Sequence, residues 1–331
     1  MDKTNPFISV VIATLNRTDF LIRCIKSIIY GDYANFEIIV VDQGRDGKTK
    51  MEINERFGNE KRLRYYNADI VGLSYARNFG YERARGKIIA YIDDDTTASP
   101  GWLKAYANAF TEIKPAPAMA GGKILPDWGI PCPPWYPEDR KFILGLYDIG
   151  DKVRRYPEHH LPPGTNFAML REVIDKIGGF DRRLGFNEGR KNSMMAGEDS
   201  LMAIKVKNAG YSIYYYPEAS VFHYIGSNKL TKKYFLRRHF WEGITVVNIA
   251  KISGCISRSK LLTILIYNSA TAFWRGIASI INILKRTSDS RTRQMLNLGL
   301  MFYSLGVLFE STKLLCKGVI SREHRLFISK V

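Results

Sequence analysis

Short, uninterrupted runs of β-branched and aliphatic residues recur between residues 8 and 92, each separated from the next by a segment with helical spacing. The runs are Ile8–Ala13, Phe36–Val41, Leu63–Tyr66 and Lys87–Ile92. Between the first two, Leu21, Ile22, Ile25, Ile28 and Ile29 share one helix face behind Thr18-Asp19, with Gly31 as a stop. Residues 48–58 and 73–85 read as helices in the same way. A strand with no polar alternation is buried on both faces, and parallel neighbours require a crossover. The pattern therefore predicts a mainly parallel sheet flanked by helices. Ligands of such sheets bind beyond the carboxyl ends of the strands, which directs attention to Thr14–Arg17, Asp42–Arg45 and Asp93–Asp95.

The middle of the chain continues the alternation. Ser99-Pro100 reads as a helix start, with serine as the cap. A proline-rich loop follows at 126–139, carrying Trp128, Trp135 and Tyr136. Strands are expected at Gly164–Met169, Tyr211–Tyr216 and Ser220–His223, and helices at Arg171–Ile177 and from Glu198 to Gly210. Residues 1–224 are thus expected to form one domain, with halves at 1–98 and 99–224.

Charge sets the remainder apart. Residues 225–331 hold 18 Lys and Arg against 4 Asp and Glu, net +14 of the chain's +17. This tail contains two apolar stretches, Leu261–Leu284 broken by Asn268 and Arg275, and Met295–Ile320 with Glu310, Lys313 and Lys317 near its end. A spanning helix needs about 20 apolar residues with few charges, and neither stretch meets that cleanly. The tail is expected to be helical, amphipathic and seated on an anionic membrane surface; a pair of core helices in a small subdomain is the alternative. Basic excess gathered in an apolar-rich tail disfavours nucleic acid as partner, which calls for a basic stripe across the body. Four dispersed cysteines without a C-x-x-C pair exclude a disulfide scaffold and fit a reducing compartment. The apolar run near the N-terminus is too short for a signal peptide.

The strongest chemical signal is Asp93-Asp94-Asp95 directly after a buried strand. Crowded carboxylates repel, and a hard divalent cation such as Mn²⁺ or Mg²⁺ relieves that repulsion, usually with substrate phosphates completing its shell. A solvated acidic loop is the plainer alternative. Asp42 offers an acceptor for a base N–H, Thr14-Leu15-Asn16-Arg17 supplies polar groups and a cation, and Arg77 would project from a helix start toward the same cleft. No P-loop and no G-x-G-x-x-G follows the first strand, which argues against kinase-like and dinucleotide-binding chemistry.

Taken in order, I-S-V-V-I-A-T-L-N-R, a strand ending V-V-D, G-L-S-Y-A-R-N-F-G, Y-I-D-D-D, G-T-N-F, G-G-F-D, A-G-E-D-S-L and Y-Y-P-E-A-S-V-F-H resemble family 2 glycosyltransferases over roughly residues 7–240. One departure lies at Gln43-Gly44-Arg45, where the family more often has a serine near Arg45. The resemblance implies a GT-A-type, Rossmann-like mixed α/β sheet, a nucleotide-sugar donor and a divalent metal. It places Asp199, beside Glu198, as catalytic base, and Asp95 as a metal ligand, with His223 a further contact to metal or diphosphate. Asp93 would meet the ribose or hold its loop, with Asp94 beside it. Asp42 and the turn carrying Thr14, Asn16 and Arg17 would bind the base, most often uracil. Asn166, Trp128 and Trp135 would contact donor or acceptor sugar.

The expected activity is inverting transfer of a sugar from a nucleoside-diphosphate sugar to a lipid-linked or polysaccharide acceptor, at the cytoplasmic side of a membrane and by peripheral or monotopic attachment. A nucleotidyltransferase, which would release pyrophosphate, is the enzymatic alternative; a basic nucleic-acid-binding protein is the non-enzymatic one.

Overall fold

The computed structural model describes residues 5–186, 193–285 and 287–316. Its first half alternates as the apolar runs dictate: β1 (Ile8–Thr14), α1 (Thr18–Ile29), β2 (Phe36–Asp42), α2 (Lys48–Phe57), β3 (Leu63–Asn67), α3 (Leu73–Arg83) and β4 (Ile88–Ile92). There follow β5 (Thr96–Ala98), α4 (Trp102–Glu112), β6 (Met119–Gly121), β7 (Ile124–Trp128), β8 (Arg154–Arg155), β9 (Asn166–Leu170), α5 (Arg171–Ile177), α6 (Glu198–Asn208), β10 (Ile213–Tyr215) and β11 (Val221–Ile225). Three long helices close the described chain: α7 (Lys232–Ile252), α8 (Arg258–Lys285) and α9 (Ser288–Cys316).

An eight-stranded sheet runs β3-β2-β1-β4-β9-β6-β10-β8. Its first four strands are parallel, β9 is antiparallel to both neighbours, and β10 pairs parallel with β6. The sheet is thus mixed, with the expected parallel half. In register, Thr14 stands beside Asp42 and Asp42 beside Asn67, so the carboxyl ends of β1, β2 and β3 form one lip. Every residue of β2 and β4 is buried, which is why these strands carry no polar alternation. A second sheet orders β5-β11-β7, with Phe222 opposite Thr97 and His223 opposite Thr96.

Two details differ from the sequence expectation. Helix α4 starts at Trp102 with Gly101 as its cap; Ser99 instead exchanges a 2.6 Å hydroxyl contact with Ser220, so its side chain is committed to a neighbouring strand end. The short strands β5, β6 and β8 were not foreseen, since two or three residues carry no readable period, and β7 takes in Pro126–Trp128, expected as the start of the proline-rich loop.

The described residues form two compact units: 5–127, 145–186 and 198–224 make the first, and 128–144, 193–197 and 225–316 the second. The proline-rich loop with Trp128 and Trp135 therefore belongs with the helices, not with the sheet as expected. In the first unit, Val11, Ile39, Val41, Ile89, Tyr91, Phe167 and Met169 form the core between sheet and helices. In the second, α9 packs along both α7 and α8. Its backbone lies so close to α7 that a Cβ on Gly306 would sit 1.9 Å from the Phe240 carbonyl oxygen. Helix α8 and residues 289–316 are each long and apolar enough to cross a membrane by length and composition. The second apolar stretch was expected to run to Ile320; Lys317 and the residues after it lie outside those described.

Candidate active site

The turn after β1 is held open by backbone geometry. Asn16 adopts φ 56, a left-handed conformation that asparagine tolerates better than other residues with a Cβ. A Cβ on Gly44 would lie 2.9 Å from Asn16 Oδ1 and 3.0 Å from Asp42 Oδ1, so a side chain here would push on both polar groups where the two strand ends meet. Asp42 is buried: its Oδ1 accepts from the Gly44 amide at 2.8 Å and its Oδ2 from the Tyr65 hydroxyl at 2.6 Å. Burial and the Asp42 carboxylate push the Tyr65 phenol well above its ordinary range, which keeps it a donor.

A cleft of about 240 Å³ opens beside this lip, lined by Thr14, Leu15, Arg17, Gln43, Leu73 and Phe186. Gln43 donates from Nε2 to the carbonyls of Ile70 (2.7 Å) and Gly72 (3.2 Å). Both partners are acceptors, so the amide has one permitted orientation.

The aspartate triplet divides its labour. Asp94 is buried, accepting from Thr14 Oγ1 at 2.7 Å, with Arg17 Nη2 3.0 Å from its other oxygen. Burial pushes its carboxyl up to about 7 against the pull of Arg17. Asp95 meets Arg17 Nη1 at 2.7 Å and His223 Nε2 at 3.4 Å. Asp93 turns the other way, to Arg77 Nη2 at 3.0 Å.

Arg77 links the two acidic motifs. Its guanidinium donates to Glu198 Oε1 at 2.8 Å, to Asp93 Oδ1 and to the Gly164 carbonyl at 2.9 Å. The amide of that same Gly164 donates to Asp199 Oδ2 at 2.5 Å, and the Ser200 amide to Asp199 Oδ1 at 2.7 Å. Asp199 and the triplet thus share one scaffold, though they are 104 or more residues apart in sequence.

Several expectations are corrected by this geometry. Arg77 is buried and its guanidinium is occupied by protein acceptors, so it braces the site. Glu198 is buried against Arg77 through Oε1, with burial and the charge of Asp199 pushing its carboxyl up, while its Oε2 has no hydrogen-bond partner among the described residues. Asp94 is likewise enclosed. Asn166 is fully buried: its Oδ1 accepts from Trp102 Nε1 (2.8 Å) and Tyr106 (2.6 Å), and its Nδ2 donates to the carbonyls of Lys123 and Ala219. An amide so saturated has nothing left for a sugar. Trp135 packs on Tyr136 and Phe235 in the second unit, where Lys141 lies over the Trp128 ring. Tyr65 was not anticipated; Gln43 lay in the Asp42–Arg45 segment and Gly164 in the G-T-N-F motif, but neither was given a role.

Comparison with known proteins supplies the context. The sequence model of "Glycosyl transferase family 2" matches residues 9–178. A glucosyl-dolichyl phosphate glucuronosyltransferase of Haloferax volcanii is 26% identical over 243 residues, 71% of this chain and 75% of that protein. Among solved structures, the mannosyltransferase PcManGT from Pyrobaculum calidifontis, in complex with GDP-Man and Mn²⁺, superposes with TM-score 0.60 at 17% identity, over 93% of this chain and 89% of that one. GalNAc-T7 with UDP, GalNAc and Mn²⁺ gives TM-score 0.53 at 19% identity over 73% of this chain, which spans 51% of that protein. At such identities the two structures establish the fold alone, the GT-A-like mixed sheet with flanking helices.

Proposed function

This chain belongs to glycosyl transferase family 2, and from that premise we propose that it transfers a sugar, with inversion, from a nucleoside-diphosphate sugar, UDP-linked in the first instance, to a lipid-linked or polysaccharide acceptor. The observation that carries the reading is the Arg77 brace, which fixes Asp199 and the Asp93–Asp95 loop in a single framework at the strand ends. A leaving group held at one carboxylate and an acceptor hydroxyl aligned by another is what displacement at an anomeric carbon requires.

Asp199 is the base in this reading. Its carboxylate is oriented by two backbone N–H groups and only partly buried, so a lone pair remains to take the acceptor's proton. The base-binding lip is formed by Asp42, Gln43 and the Thr14–Arg17 turn around the 240 Å³ cleft.

Among the described residues, no three His, Cys, Asp or Glu side chains gather into a set that holds an ion unaided. Asp95 Oδ1 and His223 Nε2, 3.4 Å apart, nevertheless offer one hard oxygen and one imidazole nitrogen to the same point. That pair fits a Mn²⁺ or Mg²⁺ ion whose shell a diphosphate completes. Bound there, the cation would stabilise charge developing on the departing diphosphate by several kcal/mol. The H. volcanii relative's name specifies a dolichyl phosphate-linked substrate, and together with the two apolar helices it supports an acceptor carried on lipid, with the chain attached to the cytoplasmic side of a membrane.

The test is a panel of nucleotide-sugars incubated with and without Mn²⁺. Release of nucleoside diphosphate that requires both metal and a polyprenyl-phosphate-linked acceptor is expected. Release of pyrophosphate from a nucleoside triphosphate would replace the reading with nucleotidyl transfer.

A further inference from the structure

Helix α8 inverts the usual distribution of polarity. On α8 the fully packed positions are Leu261, Asn268 and Ser279, while Leu262, Ile266, Phe273, Trp274, Ile280 and Leu284 face outward, Ile266 at 73% and Leu284 at 76% exposure. Helix α9 is mixed: it buries Ser290, Asn297, Ser304 and Ser311, one every seventh residue, together with Met295, Val307 and Leu314, and exposes Arg291, Arg293 and Lys313 as well as Leu305 and Phe309. Water drives apolar faces together and leaves polar ones outside. Small and polar residues at the contact, with an apolar exterior, are the arrangement of helices solvated by lipid.

The outward stripe from Leu262 to Leu284 is about 33 Å long at 1.5 Å per residue, enough to stand across a bilayer or to lie along it. Internal contacts of the second unit distinguish the two. Arg275 Nη1 donates to Asn297 Oδ1 at 3.0 Å, which sets the middle of α8 level with Asn297. Two residues on, Gly299 packs beneath Phe235 and His239 of α7, where a Cβ would come within 2.8 Å of either ring. Asn297 and Gly299 point about 200° apart on a helix of 3.6 residues per turn, so α7 and α8 flank α9 on opposite sides at one level.

The first turns of α7 carry Lys232, Lys233, Arg237 and Arg238, the first three exposed. With α8 upright, those four charges would sit at the depth of the bilayer centre, where charged side chains are costly and rare. With α8 flat, only its outer face meets acyl chains, α9 lies behind it and α7 stays in water. Arg258 and Lys260 at one end and Lys285 at the other are exposed and in reach of headgroups. Arg275, the sole charge within the apolar stretch, points to α9 and away from the stripe.

We infer that α8 lies in the plane of one leaflet, its Leu262–Leu284 face immersed among acyl chains and its basic ends on anionic headgroups. The inference rests on the membrane-bound reading above and on nothing in the transfer chemistry.

The experiment uses the full chain with phosphatidylcholine vesicles containing phosphatidylglycerol. The wild type is expected to sediment with them, and Phe273→Asp to lose at least tenfold in partition. Tryptophan emission of the wild type, less that of Trp274→Phe, is expected to be quenched most by lipids brominated near the headgroup. Strongest quenching by bromines near the chain ends would mean an upright helix and overturn the in-plane placement while leaving membrane attachment intact. No sedimentation of the wild type would overturn both. Partition unaffected by Phe273→Asp, or vesicle-free dimerisation that this substitution abolishes, would assign the face to something other than lipid. If Phe273→Asp loses its helical circular dichroism, Lys260→Gln with Lys285→Gln, both on exposed helix ends, decides instead: weakened, less salt-sensitive binding is expected, and unchanged binding refutes.

Discussion

Arg17 Nη1 lies 2.7 Å from Oδ2 of Asp95. The same guanidinium reaches Asp94, so a cation of the protein's own already spans the two carboxylates. Adjacent buried carboxylates without a counterion would drive one another to protonate, and Arg17 supplies that counterion from a side chain 47% exposed. In the reading proposed above, a metal ion at Asp95 would displace this arginine and leave it to a diphosphate. Metal and nucleotide binding should then favour each other.

Replacing Arg17 by Gln should therefore raise the affinity for Mn²⁺ in the absence of nucleotide by about tenfold, equivalent to ~1.4 kcal/mol, while weakening nucleoside diphosphate binding. Electron paramagnetic resonance of free Mn²⁺ reads the first effect directly. Equal Mn²⁺ affinity in the two proteins would remove Arg17 as the resident counterion.

Asp199→Asn should leave nucleotide-sugar affinity near that of the wild type and lower turnover by about 10²–10⁴-fold, the usual contribution of a positioned base. Calorimetric binding and rates at saturating donor separate the two quantities. Undiminished turnover would shift the base elsewhere.

Arg77→Met removes the cation paired with Glu198 and leaves that buried carboxylate beside Asp93 and Asp199. Breaking one partner of a buried pair costs about 3–5 kcal/mol. Arg77→Lys should recover only part of this, since a single ammonium cannot replace a planar fork serving Glu198, Asp93 and Gly164. Denaturant midpoints at constant m-value provide the measurement; a loss below 1 kcal/mol for Arg77→Met would show the brace to be dispensable.

What was readable in advance follows from how each residue is constrained. Ile38, Ile39, Val40 and Val41 are each fully buried on β2, and burial on both faces writes itself as an unbroken apolar run. The acidic motifs were readable because the strand end and the helix start that carry them are local features. Asn166 was not: its amide is claimed by Trp102 and Tyr106, about 60 residues upstream, and only the folded chain reveals that partnership. The packing of Trp135 on Phe235, a hundred residues later, was hidden for the same reason. The polarity inversion on α8 was hidden as well. Composition shows an apolar stretch interrupted by Asn268 and Arg275, and only packing against α9 reveals that Asn268 is buried and that Arg275, though exposed, bonds to Asn297.

His239 gives the second unit a sign-definite response to acid. The ring is buried on α7, its Nδ1 paired with the Phe235 carbonyl at 2.8 Å and its Nε2 without a hydrogen-bond partner. Burial lowers its pKa from 6.5 to about 4. Unfolded chains take up a proton near pH 6.5, the folded one only near pH 4, so the unfolded state binds more protons between these values and stability falls as pH drops through that window. The full difference is about 3 kcal/mol, at 1.36 kcal/mol per pKa unit. His239→Met, which fills the site with a flexible apolar side chain, should be less stable at neutral pH yet lose correspondingly less between pH 6.5 and pH 4. Unfolding followed by helical circular dichroism across that range compares the two slopes. Parallel slopes would mean that His239 is charged in the folded helices, and that a counter-charge or water reaches Nε2.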